Sequence, residues 1–453
     1  MSGFELKQRT RGAGYRWYHS ATRLLPRMSS SKPYLPQLVL MLEKVIHMDV
    51  RYLARGGTWL TLGYAASALS TFAIALVFAN VLDPTIYGSY KYVLSIASVL
   101  SIATLPGIDA ALTRAIARGQ EGSVRSVTHA RVGWGTCSIL GGALLALYYG
   151  WQGNDLLALA IAISGFGVAL IDPLTVFDDI LRGRKQFSTA TRLTLIAQLS
   201  MTAVLIGTAY LSPALLPIVS AYFFGWVAVN ALLLLYVWRR FPLNQVQDPT
   251  VFAYGAHLSF MKAGGIVAGA LGSIILFHVG GAALAVFTIA VAPIEQVRGF
   301  LGNFESLFFP KFVRDDWLLW RPATFVRKTA LFFFLLLIGV GGYFIIAPAF
   351  FAFFFPKYVA AIPYSQVWAL SLIPTAFTIV LVSMLRAKQR VRDLYWFNGI
   401  SNAAVFVCVP VLTYGYGIAG LVLGQFCVKF IESGVIAYLV WRRDDAQSNE
   451  RRA

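Results

Sequence analysis

Twelve stretches of this chain are apolar over the length needed to cross a bilayer, and that pattern leaves few folds open. A helix spans the hydrocarbon core with about 20 residues. Runs of that order cover Gly57–Leu82, Tyr87–Ile108, Val132–Tyr149, Leu156–Ile180, Leu193–Leu211 and Ala214–Trp238. A second set covers Gly255–Val279, Ala282–Phe304, Ala330–Phe354, Pro363–Leu385, Trp396–Tyr414 and Ile418–Trp441. Only Gly280-Gly281 separates the seventh run from the eighth. The expected fold is an all-α polytopic membrane protein with twelve transmembrane helices. Composition agrees: 13% of residues are charged, against about 25% in soluble chains, too few to coat a water-facing surface. This excludes a disordered tail protein, a disulfide-stapled domain and an ordinary cytosolic enzyme. Cys137, Cys408 and Cys427 all lie inside apolar runs, at no metal-ligand spacing, and read as small core residues.

The net charge of +18 would suggest nucleic acid in a soluble protein, whereas in a membrane protein it reflects loops kept in the cytoplasm. No nucleic-acid partner is expected. Loop charge tests the count of spans. Of the 38 Lys and Arg, 34 fall in the two terminal segments and the loops on their side (counting Arg298, in the last turns of the eighth run, with the loop it leads into), one (Lys357) falls in the opposite loops, and Lys91, Lys262 and Lys429 fall inside spans. A miscounted helix would scramble that split. The asymmetry predicts that both termini are cytoplasmic. The first apolar run begins at Gly57 and is of full length, so it reads as a retained helix and not a cleaved signal. Before it, Leu38, Met41, Leu42, Val45, Met48, Tyr52 and Leu53 recur at helical spacing. They predict an amphipathic helix on the inner membrane face, in contact with lipid.

The spans divide into two sets of six. After the fourth span the chain reads Leu181-Arg182-Gly183-Arg184-Lys185-Gln186; after the tenth it reads Leu385-Arg386-Ala387-Lys388-Gln389-Arg390, an offset of 204. The same offset carries the third, fifth and sixth spans onto the ninth, eleventh and twelfth. Six is even, so both sets enter the membrane in the same direction, as in transporters built from parallel repeats. The expected organisation is a basic segment over 1–56, a six-helix lobe over 57–240, a linker over 241–250, a second six-helix lobe over 251–441 and a basic tail over 442–453.

Several motifs, in order, resemble those of polysaccharide flippases. They are Gly56-Gly57-Thr58-Trp59-Leu60, then Leu82-Asp83-Pro84-Thr85-Ile86-Tyr87-Gly88 and Leu105-Pro106-Gly107-Ile108-Asp109-Ala110-Ala111-Leu112 with the basic loop from Arg114 to Arg131. The likeness returns at Ile275-Leu276-Phe277-His278-Val279-Gly280, Phe309-Pro310-Lys311-Phe312 and Tyr416-Gly417-Ile418-Ala419-Gly420. That family belongs to a superfamily that also holds multidrug exporters and the peptidoglycan precursor flippase. The resemblance implies a polyprenyl-pyrophosphate-linked oligosaccharide as substrate, the cytoplasmic membrane of a bacterium as location, and glycosyltransferases or a glycan polymerase as partners. One departure stands out: many relatives carry a charged pair late in the seventh span, where this chain has Gly272-Ser273.

Charges at span depth cost at least about 2.5–3.5 kcal/mol each and so mark candidate sites. Lys262, on the seventh span, has no acid within a turn; its partner must come from another helix, from water or from substrate. Lys91, on the second span, is near enough to the interface to snorkel or to meet substrate. Glu295 with Arg298 and Lys429 with Glu432 are each three apart and share a helix face. The first pair is a candidate substrate contact, the second a self-neutralising structural pair. Asp172, followed by Pro173 in the fourth span, is a candidate ion-coupling acid. His278 reads as interfacial. No metal, cofactor or catalytic set is expected: there is no Ser/His/Asp or Cys/His arrangement at a common depth, no His/Cys cluster and no phosphate-cradling loop. A membrane glycan polymerase would need a large external loop, and a channel a repeated filter sequence. The reading is a flippase whose two lobes alternate access around a cationic cavity; the alternative is a proton- or sodium-coupled multidrug exporter.

Overall fold

A computed structural model describes residues 58–314 and 322–442, and every regular element there is helical. The amphipathic helix expected before Gly57 and the tail beyond Arg442 lie outside the described residues. The first crossing is α1 (Thr58–Val81). The second is α2 (Pro84–Leu100), which tightens into a 3-10 turn over Ser101–Thr104, and a short α3 (Ile108–Ala117) follows. Next come α4 (Ser123–Trp151), α5 (Asp155–Leu174) continued by α6 (Val176–Gly183), α7 (Phe187–Leu211) and α8 (Leu215–Arg240). The second set opens with α9 (Val251–Val279), α10 (Gly281–Arg314) and α11 (Pro322–Phe354). The tenth crossing is α12 (Ile362–Leu370) with α13 (Leu372–Ala387), and α14 runs Val391–Trp441.

The helix α14 holds the last two crossings. Straight, its 51 residues would extend about 76 Å at 1.5 Å each, more than twice the hydrocarbon thickness. Gly417 breaks it at φ 58° and ψ −128°. Beyond the break the chain runs back along itself so closely that a Cβ on Gly420 would sit 1.8 Å from the Leu412 carbonyl oxygen. Eleven helices are long and apolar enough to cross a membrane, and with α14 counted twice the described residues make twelve crossings. The side chains turned away from the bundle fit lipid: Leu144 is 68%, Leu147 71% and Ile345 82% exposed. A soluble surface would not carry so continuous an apolar face.

Local chemistry accounts for the turns. Asp83 caps α2, with Pro84 at the first helical position, where its missing N–H costs nothing. Its carboxylate accepts from the Thr85 hydroxyl and from the Thr85 N–H at 2.8 Å, and these bonds hold its carboxyl below the usual carboxylate range. At the opposite, basic end the sequence repeat is visible in hydrogen bonds. Lys185 and Gln389, 204 apart, are both left-handed (φ 59° and 55°). Behind each, Gln186 N–H donates to Leu181 O (2.8 Å) and Arg390 N–H to Leu385 O (3.1 Å). The segment 241–250 is tied to the same end of the first six crossings. Arg184 grips Glu121 through two bonds of 2.7 Å, which hold the Glu121 carboxyl below its ordinary range, and Gly122 N–H donates to Val246 O at 2.8 Å.

The two sets of six crossings meet where α2 packs against α9 and α10. At the lysine-poor end the approach is backbone on backbone: a Cβ on Gly88 would fall 1.8 Å from Gly281 O. Below it the Tyr92 ring stacks on Phe277, centroids 4.1 Å apart. Beside it Phe72 of α1 packs among Phe350, Phe354 and Phe355. Asn80 Nδ2 donates to Phe354 O (3.0 Å), and Lys357 Nζ donates to Asn80 O (2.6 Å). This end of the seam is shut.

Candidate functional site

The site begins with a break that an uninterrupted apolar run conceals. The second crossing ends at Leu105, which is left-handed (φ 61°), and Pro106-Gly107 turns the chain into α3. Gly107 N–H donates to Ser259 Oγ (2.9 Å), which in turn donates to Gly255 O (2.7 Å). Only glycine fits here, since a Cβ on Gly107 would lie 2.3 Å from Ser259 N. Less than a turn further along α9, Lys262 donates its Nζ to Pro106 O at 2.8 Å. The break thus supplies a carbonyl for an ammonium that has no acid on its own helix.

Beside this contact lies a cavity of 830 Å³ toward the basic end, walled by α3, α4, α5, α6 and α9. Its organising residue is Arg131, whose side chain is 3% exposed. Nη2 pairs with Asp109, while Nη1 donates to Asp172 O (3.0 Å) and to Thr175 Oγ1 (3.4 Å). The Asp172 carboxylate accepts from the Thr104 hydroxyl, and Asp179 Oδ1 accepts from the Thr113 hydroxyl at 2.9 Å. Arg182 Nε pairs with Asp178 at 2.5 Å. The Arg114 guanidinium sits 4.9 Å over the Tyr254 ring. Four carboxylates, Asp109, Asp172, Asp178 and Asp179, therefore face four cations, Arg114, Arg131, Arg182 and Lys262. The expected net positive character is not found among the described residues of this cavity: their formal charges balance. Among those residues two ion pairs form, Arg131–Asp109 and Arg182–Asp178. Lys262 and Arg114 form none, and neither do Asp172 and Asp179, which accept from threonine hydroxyls.

The other intramembrane charges do not line this cavity. Lys91 lies with its Nζ 5.7 Å from the Tyr87 ring centroid and 6.0 Å from that of Tyr90, without an ion pair among the described residues. Glu295 and Arg298 pair at 2.9 Å; Trp368 Nε1 donates to Glu295 Oε1 at 3.0 Å, and the Arg298 guanidinium lies 4.8 Å over the Trp368 ring. Lys429 Nζ donates to Glu432 at 2.7 Å. No group of three His, Cys, Asp or Glu side chains is placed to hold a metal among the described residues.

Residues 53–314, more than half of the chain, match the family model described as polysaccharide biosynthesis protein. The chain belongs to that family. Solved structures place this polysaccharide biosynthesis protein among known membrane transporters in fold. It is similar to the lipid II flippase MurJ in an inward closed conformation, at 11% identity over 84% of this chain and 87% of that one, with a TM-score of 0.65. It is also similar to a multidrug resistance MATE family transporter of the MOP superfamily in its inward-facing conformation, at 14% identity over 82% and 95%, with a TM-score of 0.59. An outward-facing MATE structure gives 13% identity over 84% and 94%, with a TM-score of 0.55. No curated protein matches the chain.

Sequence reasoning missed Arg131, Asp109 and Thr104 as site residues. Arg131 counts as a loop cation because it directly precedes the apolar run from Val132, yet α4 begins eight residues earlier, at Ser123, and carries Arg131 into the bundle. In this polysaccharide biosynthesis protein, Arg131→Met should lower thermal stability by roughly 2–3 kcal/mol, because it leaves Asp109 and Asp172 uncompensated; the figure is at the low end since Asp109 is half-exposed. Combining it with Asp109→Asn should recover part of the loss. A thermal melt of the detergent-solubilised protein reads both, and equal melting of wild type and Arg131→Met would remove Arg131 from its organising role.

Proposed function

We propose that this chain flips a polyprenyl-pyrophosphate-linked oligosaccharide from the cytoplasmic to the outer leaflet of a bacterial-type inner membrane, supplying cell-surface polysaccharide synthesis. On this reading the basic end and both termini are cytoplasmic, and the two sets of six crossings, 57–240 and 251–441, are lobes that rock around the seam. The carrying observation is the pair of cations left without a carboxylate at the wall of the cavity. Two cations at its wall, Lys262 and Arg114, lack carboxylate partners among the described residues, and a pyrophosphate brings about two negative charges. Charge-assisted N–H···O bonds to phosphate are among the stronger polar contacts. Lys262 gives up only one backbone carbonyl to make them. The prenyl chain stays in lipid outside the bundle while the glycan passes through the cavity, and no covalent bond is made or broken. Glycosyltransferases would supply the substrate and a polymerase would consume it.

A multidrug exporter of the same superfamily would need an acid free to take a cation. Asp172 accepts from Thr104 and lies beside Arg131, and Asp109 and Asp178 are ion-paired. Asp172 and Asp179 form no ion pair but each is held by a threonine hydroxyl, whereas Arg114 has only the Tyr254 ring against it, which favours an anionic headgroup. Lys262→Ala should cut flipping of a fluorescent lipid-linked oligosaccharide in proteoliposomes by about 10–100-fold, the worth of a lost charge-assisted bond. The amount of folded protein should be nearly unchanged. Unimpaired flipping by Lys262→Ala would overturn this assignment of the site.

A further inference from the structure

The outer end of the seam contains a hydrogen-bond chain that the flipping reading does not use. It joins three helices: Tyr92 on α2, Tyr149 on α4 and His278 on α9. The two tyrosine hydroxyls are 2.5 Å apart, Tyr149 OH is 3.1 Å from His278 Nε2, and His278 Nδ1 is 2.8 Å from Ile274 O. A carbonyl can only accept, so Nδ1 carries a proton. In a neutral imidazole Nε2 is then the acceptor, and the direction of the chain is set: Tyr92 O–H donates to Tyr149, and Tyr149 O–H donates to His278. Since α2 and α4 belong to the first six crossings and α9 to the second, the Tyr149–His278 bond ties the two lobes together.

We propose that His278 is a proton-binding site whose occupation from the outer face loosens this seam. The argument is one of donor count. A second proton on the ring turns Nε2 into a donor, so three protons then share two links. Either Tyr149 donates towards Tyr92 and the Tyr92 proton has no acceptor, or Tyr149 accepts from both neighbours and its own proton has none. Tyr92 is 2% and Tyr149 5% exposed, the Tyr92 ring is held against Phe277 at 4.1 Å, and Tyr149 is the partner of the Tyr92 hydroxyl among the described residues. Protonation therefore strands one buried donor in the closed state alone, and a buried unpaired donor is costly. The ring itself is exposed at the outer end of α9, where a proton can reach it.

The surroundings leave His278 as the responsive group. On α2 the titratable neighbours are Tyr92 and Lys91, whose ammonium lies over Tyr87 and Tyr90. On α4 they are Tyr148 and Tyr149. On α10 no acid or base precedes Glu295. On α14, Tyr414 and Tyr416 flank the bend, while Lys429 and Glu432 pair with each other further along. No carboxylate pairs with His278 among the described residues. Of ordinary side chains, imidazole is the one whose charge changes between pH 5 and 8.

The inference takes its meaning from alternating access, but its test needs no substrate. Spin labels at Leu156→Cys and Tyr416→Cys, both at the outer end and one in each lobe, are placed in a background with Cys137, Cys408 and Cys427 changed to Ala. Their separation is measured in proteoliposomes at pH 8.0 and pH 5.5. The wild type should show a longer-distance population that grows about tenfold relative to the closed one on acidification. His278→Gln, which still offers an acceptor to Tyr149, should keep its pH 8.0 distribution at both values. Tyr149→Phe should be partly open already at pH 8.0 and should not respond to acid. An absent acid response in the wild type, or a full response in either variant, overturns the proposal. If His278→Gln does not fold, Tyr149→Phe decides alone. A protein that flips normally yet lacks the acid response would lose the proton site and keep its proposed function.

Discussion

Gly88→Ala is expected to prevent the outer end of the seam from closing and to reduce flipping by at least about tenfold, while the protein still inserts in the membrane. The added methyl would sit 1.8 Å from the Gly281 carbonyl oxygen. No side chain can yield there, because the obstacle is the backbone at the start of α10. The helices α2 and α10 must separate, and overpacking of this kind costs roughly 1–3 kcal/mol. On the proposed rocking of two lobes, that energy falls on the state in which this end is shut. Within a bilayer such close helix approach through small residues is a main source of packing energy, with no hydrophobic effect to replace it. The comparison variant is Gly207→Ala on α7, where an added Cβ meets nothing within 4 Å, and which should behave as wild type. Spin-label distances across the outer end and flipping rates together read the effect. Normal flipping by Gly88→Ala would mean that this contact is not remade in each cycle.

The same pair shows why part of the fold was legible and part was not. Crossings can be counted from hydropathy because each helix must bury its own backbone polar groups in an environment without water. Even the two-residue division at Gly280-Gly281 is a true break, with Gly280 extended (φ 175°) and α10 starting at the next residue. The basic loops repeat in sequence and repeat again as left-handed turns at Lys185 and Gln389. What periodicity cannot see is contact between helices. Glu295 with Arg298 and Lys429 with Glu432 meet because a spacing of three is local. Asp109 meets Arg131 across 22 residues, Thr104 meets Asp172 across 68, and Lys262 meets Pro106 across 156. None of those pairings has a signal in a single helix. The break at Leu105 was hidden for a related reason: Leu-Pro-Gly-Ile is apolar, so a hydropathy count runs through it, although Pro106 and Gly107 are the residues that end helices. Asp109 and the Asp172 carbonyl consequently meet at one buried arginine, and the charges of the described cavity residues balance where a cationic cavity was expected.

A balanced cavity sharpens the question of what drives transport. On the proposed function, Lys262 and Arg114 replace water around a pyrophosphate and so lower the barrier, but a fixed charge cannot set direction, since it attracts the headgroup equally from both leaflets. The membrane potential can. Moving charge across the full field is worth about 2.3 kcal/mol per elementary charge per 100 mV. In a cell that is negative inside, two outward-moving negative charges gain roughly 4–5 kcal/mol at 100 mV, a bias of about a thousandfold towards the outer leaflet. On the proposed function, flipping should therefore follow the potential without any ion gradient. Proteoliposomes clamped by potassium and valinomycin, with sodium and protons equal on both sides, should flip the lipid-linked oligosaccharide at a rate and to an extent that rise steeply as the inside becomes negative. Indifference to the clamp, with transport restored at zero potential by a sodium or proton gradient, would refute this account. Asp172 would then be the acid that takes the ion, and its bond to Thr104 and its proximity to Arg131 would have to open for the ion to enter. Dependence on the potential alone would instead leave that cluster as the frame that holds α3, α4 and α5 in register around the headgroup.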